Sequence, residues 1–195
     1  MKLPSLIAAC AVFAVSGCSP ESPVMTKPAA TASSTVTVRE ADGPNGKLTA
    51  PVSRAKVVKT DAEWRAKLSA EAFQVARGKG TERPFCGVFY DNHQVGTYTC
   101  ACCGLPLFRS DAKFDSGTGW PSFFQPIAKE NVSFIEDNSH GMRRTEILCT
   151  LCDCHLGHVF DDGPRPTGLR FCLNSVSLNF VPDAPAVQTG GKTDH

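Results

Sequence analysis

Two pairs of cysteines, each with the spacing C-x-x-C, most constrain what this chain can fold into. Cys100 and Cys103 form the first pair, and Cys149 and Cys152 form the second. Four thiolates suit a tetrahedral structural zinc site, which leaves no open position for chemistry on the metal. The gap between the pairs is longer than in compact zinc ribbons, so we expect two hairpins that the fold brings together. The sequence therefore predicts one structural zinc ion per chain.

The same cysteines allow two other interpretations. In an oxidising compartment they could form two disulfides, or one pair could be a redox motif. We favour zinc, because a single redox motif would not need a second pair. Cys102 and Cys154 stand beside the pairs and are left outside the predicted ligand set.

The N-terminus is typical of an exported protein. Lys2 is followed by an apolar run over 6–15, which is too short to span a bilayer, and then by Ser16-Gly17-Cys18. A small pair directly before a cysteine resembles the bacterial lipobox. We predict a lipoprotein-type signal peptide over 1–17 and a lipidated Cys18, with a plain cleaved signal as the alternative. Ser19 then favours the periplasmic face of the outer membrane, and more than one acyl chain would anchor the protein stably.

The composition divides the rest of the chain. Residues 18–53 are rich in Ser, Thr, Pro and Ala, which predicts a disordered tether, and 185–195 read as a disordered tail. One domain over 54–184 remains. A formal net charge of +1 gives no electrostatic footprint for nucleic acid. We expect a monomer that does not bind nucleic acid.

Local patterns predict the elements of this domain. Thr60 and Glu63 have the spacing of a capping box, and apolar residues follow at helical intervals until Gly78, which predicts one amphipathic helix. The later segments read as strands separated by turn clusters, over 96–100, 132–136, 143–148 and 169–180. We predict a mainly β fold, a small antiparallel domain with the helix packed at one end.

The predicted strand 169–180 carries an unusual polar face. Alternate residues of a strand share one side, which places Arg170, Cys172 and Asn174 together. A neighbouring arginine favours the thiolate form of a cysteine, and an amide can hold a polar substrate atom. A buried inert cysteine is the alternative, and the strand by itself does not decide between the two.

Further residues point to chemistry near this strand. His155 and His158 directly follow the second cysteine pair, and histidine is the side chain best suited to proton transfer near neutral pH. Either histidine could instead be structural or a substitute zinc ligand. Trp120 and Phe123 stand in a glycine-containing turn, where they could line an apolar pocket or cap the core.

Five segments, in this order, resemble the methionine sulfoxide reductase B family over roughly 57–183. They are TERPF at 81–85, the first cysteine motif at 100–108, GWPSF at 119–123, the second cysteine motif with HLGHVF at 149–160, and RFCLNSVSLNF at 170–180. The resemblance implies a β-rich, tent-like fold that contains zinc. It also implies reduction of methionine-R-sulfoxide, in peptides or proteins, to methionine.

The resemblance also implies roles for individual residues. Cys172 would be the nucleophile, and Trp120 would pack on the methyl group of the substrate. The residues implied to shape the pocket or support the thiolate are His155, His158, Arg170, Asn174 and Phe180. The Cys172 thiolate would attack the sulfoxide sulfur and be left as sulfenic acid.

One position departs from the family pattern. Many members carry a resolving cysteine between the two glycines before the tryptophan, where this chain has Thr118. We assign Cys86 as the resolving cysteine, with Cys102 and Cys154 as alternatives. An external dithiol, from a thioredoxin-like partner, would then reduce the disulfide.

Two other functional classes account for part of the pattern. A zinc-ribbon binding module explains the four cysteines but not the polar face around Cys172. A disulfide-stapled extracellular scaffold predicts neither zinc nor free thiols, so metal analysis separates it from the enzyme.

Overall fold

The structure, a computed structural model, describes residues 34–43 and 45–184. The predicted signal peptide, Cys18, the first part of the predicted tether and the predicted tail lie outside these residues. None of the described helices is both long enough and apolar enough to cross a membrane.

A β-hairpin opens the described part of the chain. Strand β1 (Thr35–Val38) pairs antiparallel with β2 (Val52–Ala55), and Val38 is fully buried. The Asn131 side chain binds both backbone groups of Arg39, the residue that follows β1. Its Oδ1 accepts from the Arg39 N–H at 2.7 Å, and its Nδ2 donates to the Arg39 carbonyl at 2.8 Å. The prediction of a disordered tether is therefore wrong for these two strands, because backbone pairing and one distant amide order a segment that is poor in apolar residues.

Two short helices replace the single predicted helix. The predicted capping box is present at the start of α1 (Asp61–Lys67), which buries Trp64. The backbone becomes extended at Leu68, and the Ser69 hydroxyl accepts from the N–H of Ala72 to cap α2 (Ala70–Ala76). The prediction of one continuous helix is wrong here because serine offers the backbone a new N-cap in place of helix continuation.

The remaining strands form two antiparallel sheets. Their bounds are β3 Gly96–Cys100, β4 Pro106–Arg109, β5 Lys113–Phe114, β6 Ser122–Phe123, β7 Val132–Asp137, β8 Arg144–Cys149, β9 His155–Phe160, β10 Arg170–Leu173 and β11 Leu178–Pro182. One sheet is three-stranded, in the order β11-β3-β4, and the other is six-stranded, in the order β5-β6-β10-β9-β8-β7. The mainly β prediction is confirmed, and the predicted strands at 96–100, 132–136 and 143–148 agree with β3, β7 and β8 to within one residue at each end.

The predicted strand over 169–180 is two strands in different sheets. A short 3-10 turn, Ser175–Ser177, separates β10 from β11. The buried Glu82 carboxylate holds this turn, since it accepts from the N–H of Ser175 at 2.7 Å and from that of Val176 at 3.0 Å. The prediction of a single strand is wrong because a partner distant in sequence satisfies these backbone donors away from any ladder.

Aromatic side chains fill the core between the two sheets. The ring centroids of Tyr98 and Phe123 are 5.0 Å apart, those of Phe123 and Phe108 are 4.8 Å apart, and Phe171 packs against Phe108 at 5.7 Å. Because Phe171 and its strand neighbour Leu173 are buried in this core, Cys172 between them faces the other side of the sheet.

Candidate active site and metal centre

The four predicted zinc ligands converge at one end of the domain. The Sγ atoms of Cys100, Cys103, Cys149 and Cys152 all lie within 4.8 Å of one another. Across the two pairs, the Cys100–Cys152 sulfurs are 3.6 Å apart and the Cys103–Cys149 sulfurs 3.5 Å apart. A tetrahedral ion with Zn–S bonds of about 2.3 Å requires sulfurs about 3.8 Å apart. The four cysteines are therefore positioned to bind a metal ion with structural-zinc geometry.

The two loops that carry these cysteines have the same backbone design. The Gly104 N–H donates to the carbonyl of Cys100 at 2.8 Å, and the Asp153 N–H donates to that of Cys149 at 2.9 Å. Both donors stand directly after the second cysteine of their pair with positive φ, 80° at Gly104 and 55° at Asp153. Glycine adopts this conformation freely, and aspartate is among the few other residues that do. The residue that follows each cysteine pair therefore favours the turn that its metal loop requires.

Loss of one ligand should remove the ion and destabilise the domain. We expect Cys149→Ser to bind no zinc and to lose on the order of several kcal/mol of stability, because metal binding contributes folding free energy. The melting temperature should fall by about 10 °C or more for a domain of this size. Metal analysis and thermal denaturation measure both effects. Cys86→Ser changes an exposed thiol and is the matched control, which should retain zinc.

Cys172 lies in a row of residues that crosses the six-stranded sheet. In register it faces Ser122 of β6 on one side and His158 of β9 on the other, and His158 faces Glu146 of β8. The thiol is half-buried beside a pocket of about 180 Å³. The pocket is lined by Thr81, Trp120, Arg144, Gly157, His158, Phe160, Cys172, Leu173 and Asn174.

The environment of Cys172 acts on its pKa in two directions. Burial raises the pKa of the thiol above its usual value, which is the net result. The positive charge of Arg170 acts against burial, followed by hydrogen bonds from the hydroxyls of Thr118 and Ser122 and from Arg170 itself. Arg170 thus favours the thiolate, as expected from the sequence, but desolvation outweighs it.

Arg170 is held in place beside the thiol by an acidic partner. Its Nε and Nη2 donate to the two carboxylate oxygens of Asp162, both at 2.8 Å, and its guanidinium lies 4.4 Å from the centroid of the Phe160 ring. A bidentate pair of this kind fixes the plane of the guanidinium. The charge next to Cys172 is therefore pre-positioned.

Removal of that charge should make the thiol less reactive at neutral pH. Arg170→Gln loses the Coulombic and hydrogen-bonding effects that lower the pKa of Cys172, so the pKa should rise further. We expect alkylation of Cys172 by iodoacetamide to be several-fold slower at pH 7, with its pH profile displaced to higher pH. Arg170→Lys keeps the charge, so its alkylation rate should lie between those of the wild type and Arg170→Gln. An unchanged profile in Arg170→Gln would show that the guanidinium does not act on the thiol.

His158 is the histidine that lines the Cys172 pocket. Its Nε2 lies 2.7 Å from the Asp137 carboxylate, which also pairs with Arg144 at 2.6 Å. Hydrogen bonds from Ser139 and then from His158 hold the pKa of Asp137 well below its usual value, so this partner is a carboxylate. The ring is oriented through Nε2, which leaves Nδ1 as the nitrogen available to another group.

His155 lies beside the pocket rather than in its wall. It is buried, and its Nδ1 lies 2.6 Å from the Glu146 carboxylate, which pairs with Lys79 at 2.8 Å. Burial lowers the pKa of His155, although the hydrogen bond to Glu146 acts against burial. The rings of His155 and His158 are 5.5 Å apart, and both line an adjoining cavity of about 360 Å³.

The two histidine rings lie close together because the register of β8 and β9 shifts between the pairs Leu148–His155 and Ile147–Gly157. In a regular strand, residues three apart point to opposite faces. Gly157 has a φ of 154°, and a side chain there would collide with the carbonyl oxygen of Cys172. The glycine permits close approach of β9 to β10.

Trp120 and Asn174 complete the pocket, and both are fixed by the same residue. The indole Nε1 of Trp120 donates to the carbonyl of Glu82 at 3.1 Å, and the amide oxygen of Asn174 accepts from the Glu82 N–H at 3.0 Å. Asn174 is buried and also donates to the carbonyl of Leu156 at 3.2 Å. These bonds tie the Trp120 ring and the Asn174 amide to the backbone of one residue.

Comparisons with known proteins agree with this geometry. Residues 68–182 match the SelR domain. A peptide methionine sulfoxide reductase MsrB from Hahella chejuensis is 61% identical over 125 residues, which cover 64% of this chain and 90% of the relative. MsrB proteins from Herminiimonas arsenicoxydans and Pseudomonas putida are each 59% identical, over 64% and 65% of this chain and 91% and 96% of theirs.

The chain belongs to the methionine sulfoxide reductase B family. It is therefore an oxidoreductase of this family, and the resemblance seen in the sequence is confirmed.

Phe180 is not among the residues that line the pocket of this MsrB domain. It lies in β11, where its ring packs against Tyr98 at 4.9 Å and Phe89 at 6.3 Å. The turn after β10 carries Phe180 into the other sheet. Phe160 of β9 supplies a second aromatic group to the pocket, beside Trp120.

Cys86 lies in an exposed loop that is attached to the turn beside Cys172. The N–H of its neighbour Phe85 donates to the carbonyl of Gly119 at 2.8 Å, and Phe85 adopts a left-handed φ of 63°. Thr118, directly before Gly119, has its hydroxyl within hydrogen-bonding reach of the Cys172 thiol. The loop of Cys86 is thus linked to the turn that contacts Cys172.

Several residues of the site were not found from the sequence. The hydroxyls of Thr118 and Ser122, the backbone of Glu82 and the carboxylate of Asp137 contact predicted site residues. Arg144 pairs with Asp137 and lines the Cys172 pocket. Glu82 falls within the TERPF segment, which was noted only as part of the family pattern. Asp137 and Arg144 face each other in the register of β7 and β8, so only the pairing of these strands reveals them.

Proposed function

We propose that this protein reduces methionine-R-sulfoxide in peptides and proteins to methionine, with Cys172 as the nucleophile. The observation that carries the proposal is the grouping around one half-buried thiol: the Arg170 charge and two hydroxyls that favour the thiolate, with His158 and Trp120 in the wall of the same pocket. Family membership supports the reaction class.

The first step transfers oxygen from the substrate to Cys172. The thiolate attacks the sulfoxide sulfur, and a proton is delivered to the sulfoxide oxygen, so that methionine leaves and Cys172 becomes a sulfenic acid. His158 is the proton donor, because it lines the pocket and its Nε2 is already fixed by Asp137. Trp120 offers an apolar face for the methyl group, and Asn174 places a polar amide at the base of the pocket.

The second step regenerates the enzyme through a disulfide. The Cys86 thiol condenses with the sulfenic acid of Cys172, which releases water and forms the Cys86–Cys172 disulfide. The exposure of Cys86 and the link between its loop and the turn of Thr118 support this assignment. A thioredoxin-like dithiol then reduces the disulfide by exchange, and the exposed Cys86 sulfur is the accessible point of attack.

Turnover of the two sulfoxide epimers tests the reaction. We expect a peptide that contains methionine-R-sulfoxide to be converted to methionine with dithiothreitol as reductant, and the S epimer to be unchanged. Separation of the epimers by chromatography measures both in one mixture. Equal rates on both epimers, or no consumption of R, would overturn the proposal.

We place the four-cysteine site in a structural role with zinc as its ion. The thiolate donor set and the sulfur separations support zinc, and the complete ligand set leaves it no substrate position. When bound, the ion supplies a cross-link between the loops that follow β3 and β8. Metal analysis of the purified protein should give about one zinc per chain.

We propose that the enzyme acts outside the cytoplasm as a lipoprotein. The support is the apolar run over 6–15 followed by Ser16-Gly17-Cys18, with Ser19 directing the protein to the outer membrane. Its substrates would then be oxidised proteins of that compartment. Membrane fractionation of wild type and Cys18→Ala tests this: the wild type should partition with the outer membrane, and equal partition of both would exclude lipidation at Cys18.

A further inference from the structure

Two cysteines beside the metal centre have no role in the reaction described above. Cys102 and Cys154 are both buried, with exposures of 1% and 0%. Cys102 lies in the loop between the ligands Cys100 and Cys103, and Cys154 follows the ligand Cys152. Each therefore belongs to a different one of the two metal loops.

The fold brings these two thiols together. The Sγ atoms of Cys102, Cys154 and Cys100 all lie within 4.8 Å of one another. The Cys154 thiol makes a long contact, 3.6 Å, to the carbonyl of His155, and this is its only hydrogen-bond acceptor outside the cysteine cluster among residues 34–43 and 45–184. Cys100 already belongs to the four-ligand set, so the two remaining sulfurs of this group are each other's free neighbours.

We propose that Cys102 and Cys154 form a disulfide that joins the two metal loops. A two-electron oxidant of the disulfide class, such as glutathione disulfide or an oxidised dithiol protein, accepts the electrons. One cysteine thiolate attacks a sulfur of the oxidant and displaces one thiol, and the second cysteine then displaces the other. The S–S bond of the oxidant breaks, the Cys102–Cys154 bond forms, and the two protons leave on the released thiols.

With this disulfide, every cysteine in the described part of the chain has an assigned role. Four cysteines form the metal site, two form the cross-link, and Cys172 and Cys86 remain as nucleophile and resolving thiol. The bond also closes the same two loops that the ion closes, so the loops stay joined when the ion is lost. A disulfide between segments this distant in sequence restricts the unfolded chain and stabilises the fold.

Peptide mapping of the full, zinc-loaded protein tests the proposal. The protein is first reduced, then treated with glutathione disulfide, alkylated and digested without reductant. We expect a Cys102–Cys154 cross-linked peptide, with the full zinc content retained. Alkylation of Cys102 and Cys154 in the oxidised protein would overturn the proposal, and so would disulfides to the metal ligands with release of zinc. Binding of a second metal ion by Cys100, Cys102 and Cys154 would also exclude it.

A stability measurement on variants gives an independent outcome. In the presence of a chelator, the oxidised wild type should melt at a higher temperature than the reduced wild type, and C102S/C154S should show no such difference. The comparison between the oxidised and the reduced wild type does not depend on whether C102S/C154S folds. Equal melting temperatures of the oxidised and reduced wild type would contradict the stabilising role. None of these measurements uses sulfoxide turnover, so their failure leaves the proposed reaction untouched.

Discussion

Replacing Cys172 by serine should abolish reduction of methionine-R-sulfoxide. We expect a loss on the order of 10⁴-fold or more, because a hydroxyl is a far weaker nucleophile than a thiolate and cannot accept the oxygen as a stable sulfenic acid. The hydroxyls of Thr118 and Ser122 and the charge of Arg170 remain in the variant, but they act on a group that does not ionise near neutral pH. Steady-state turnover of the R-sulfoxide peptide with dithiothreitol measures the loss.

A single-turnover experiment separates the nucleophile from the other cysteines. Without reductant, the wild type and Cys86→Ser should each release one methionine per chain, whereas Cys172→Ser should release none. The zinc content and melting temperature of Cys172→Ser should equal those of the wild type, since the side chain is nearly isosteric and distant from the metal ligands in sequence. A rate within tenfold of the wild type would show that another thiol attacks the sulfoxide.

The parts of the site that were predicted correctly depend on local spacing. The C-x-x-C pairs convert a short gap in sequence into two sulfurs that face one ion, and the structure brings all four together. Alternation along a strand correctly placed Arg170 and Cys172 on one side of β10. Both rules, the C-x-x-C spacing and the alternation of a strand, depend only on residues that are close in sequence, so they can be applied without knowledge of the fold.

The parts that were predicted wrongly depend on a partner far along the chain. A single strand was predicted over 169–180 because nothing local shows that β10 ends, and it is Glu82 that holds the turn after Asn174. The first hairpin was taken for a tether because its segment is rich in Ser, Thr, Pro and Ala, whereas Asn131 supplies polar partners from a distant part of the chain.

The histidines show the same limit. The family resemblance implied that both shape the sulfoxide pocket, but only His158 of the two lines the Cys172 pocket, while His155 pairs with Glu146. Their positions follow from the pairing of β8 with β9, where the register shifts between Ile147 and Leu148. A β-bulge of this kind changes which face a side chain takes, and no pattern in one strand reveals it.

The position of Thr118 leads to the prediction that most sharply tests the resolving step. Cys86→Ser should lose turnover with a thioredoxin-like protein as reductant by about 10²-fold or more, because the sulfenic acid of Cys172 then has no thiol with which to condense. Adding Thr118→Cys to this variant should restore turnover, because the Thr118 hydroxyl lies within hydrogen-bonding reach of the Cys172 thiol and a sulfur there is within reach of a disulfide. Reduction of the thioredoxin-like protein, followed through its own reductase, measures the rate.

The matched comparison is Cys86→Ser with Thr118→Ser, which keeps a hydroxyl at the turn and should remain inactive. After one turnover without reductant, peptide mapping should find Cys86–Cys172 in the wild type and, in the rescued variant, a disulfide between Cys172 and the introduced cysteine. Full activity of Cys86→Ser alone would contradict the assignment and direct attention to Cys102 and Cys154, which are buried beside the metal ligands. The exposed loop of Cys86 is attached through its neighbour to the turn of Thr118, which is why we propose Cys86 and not a thiol beside the metal site as the resolving cysteine.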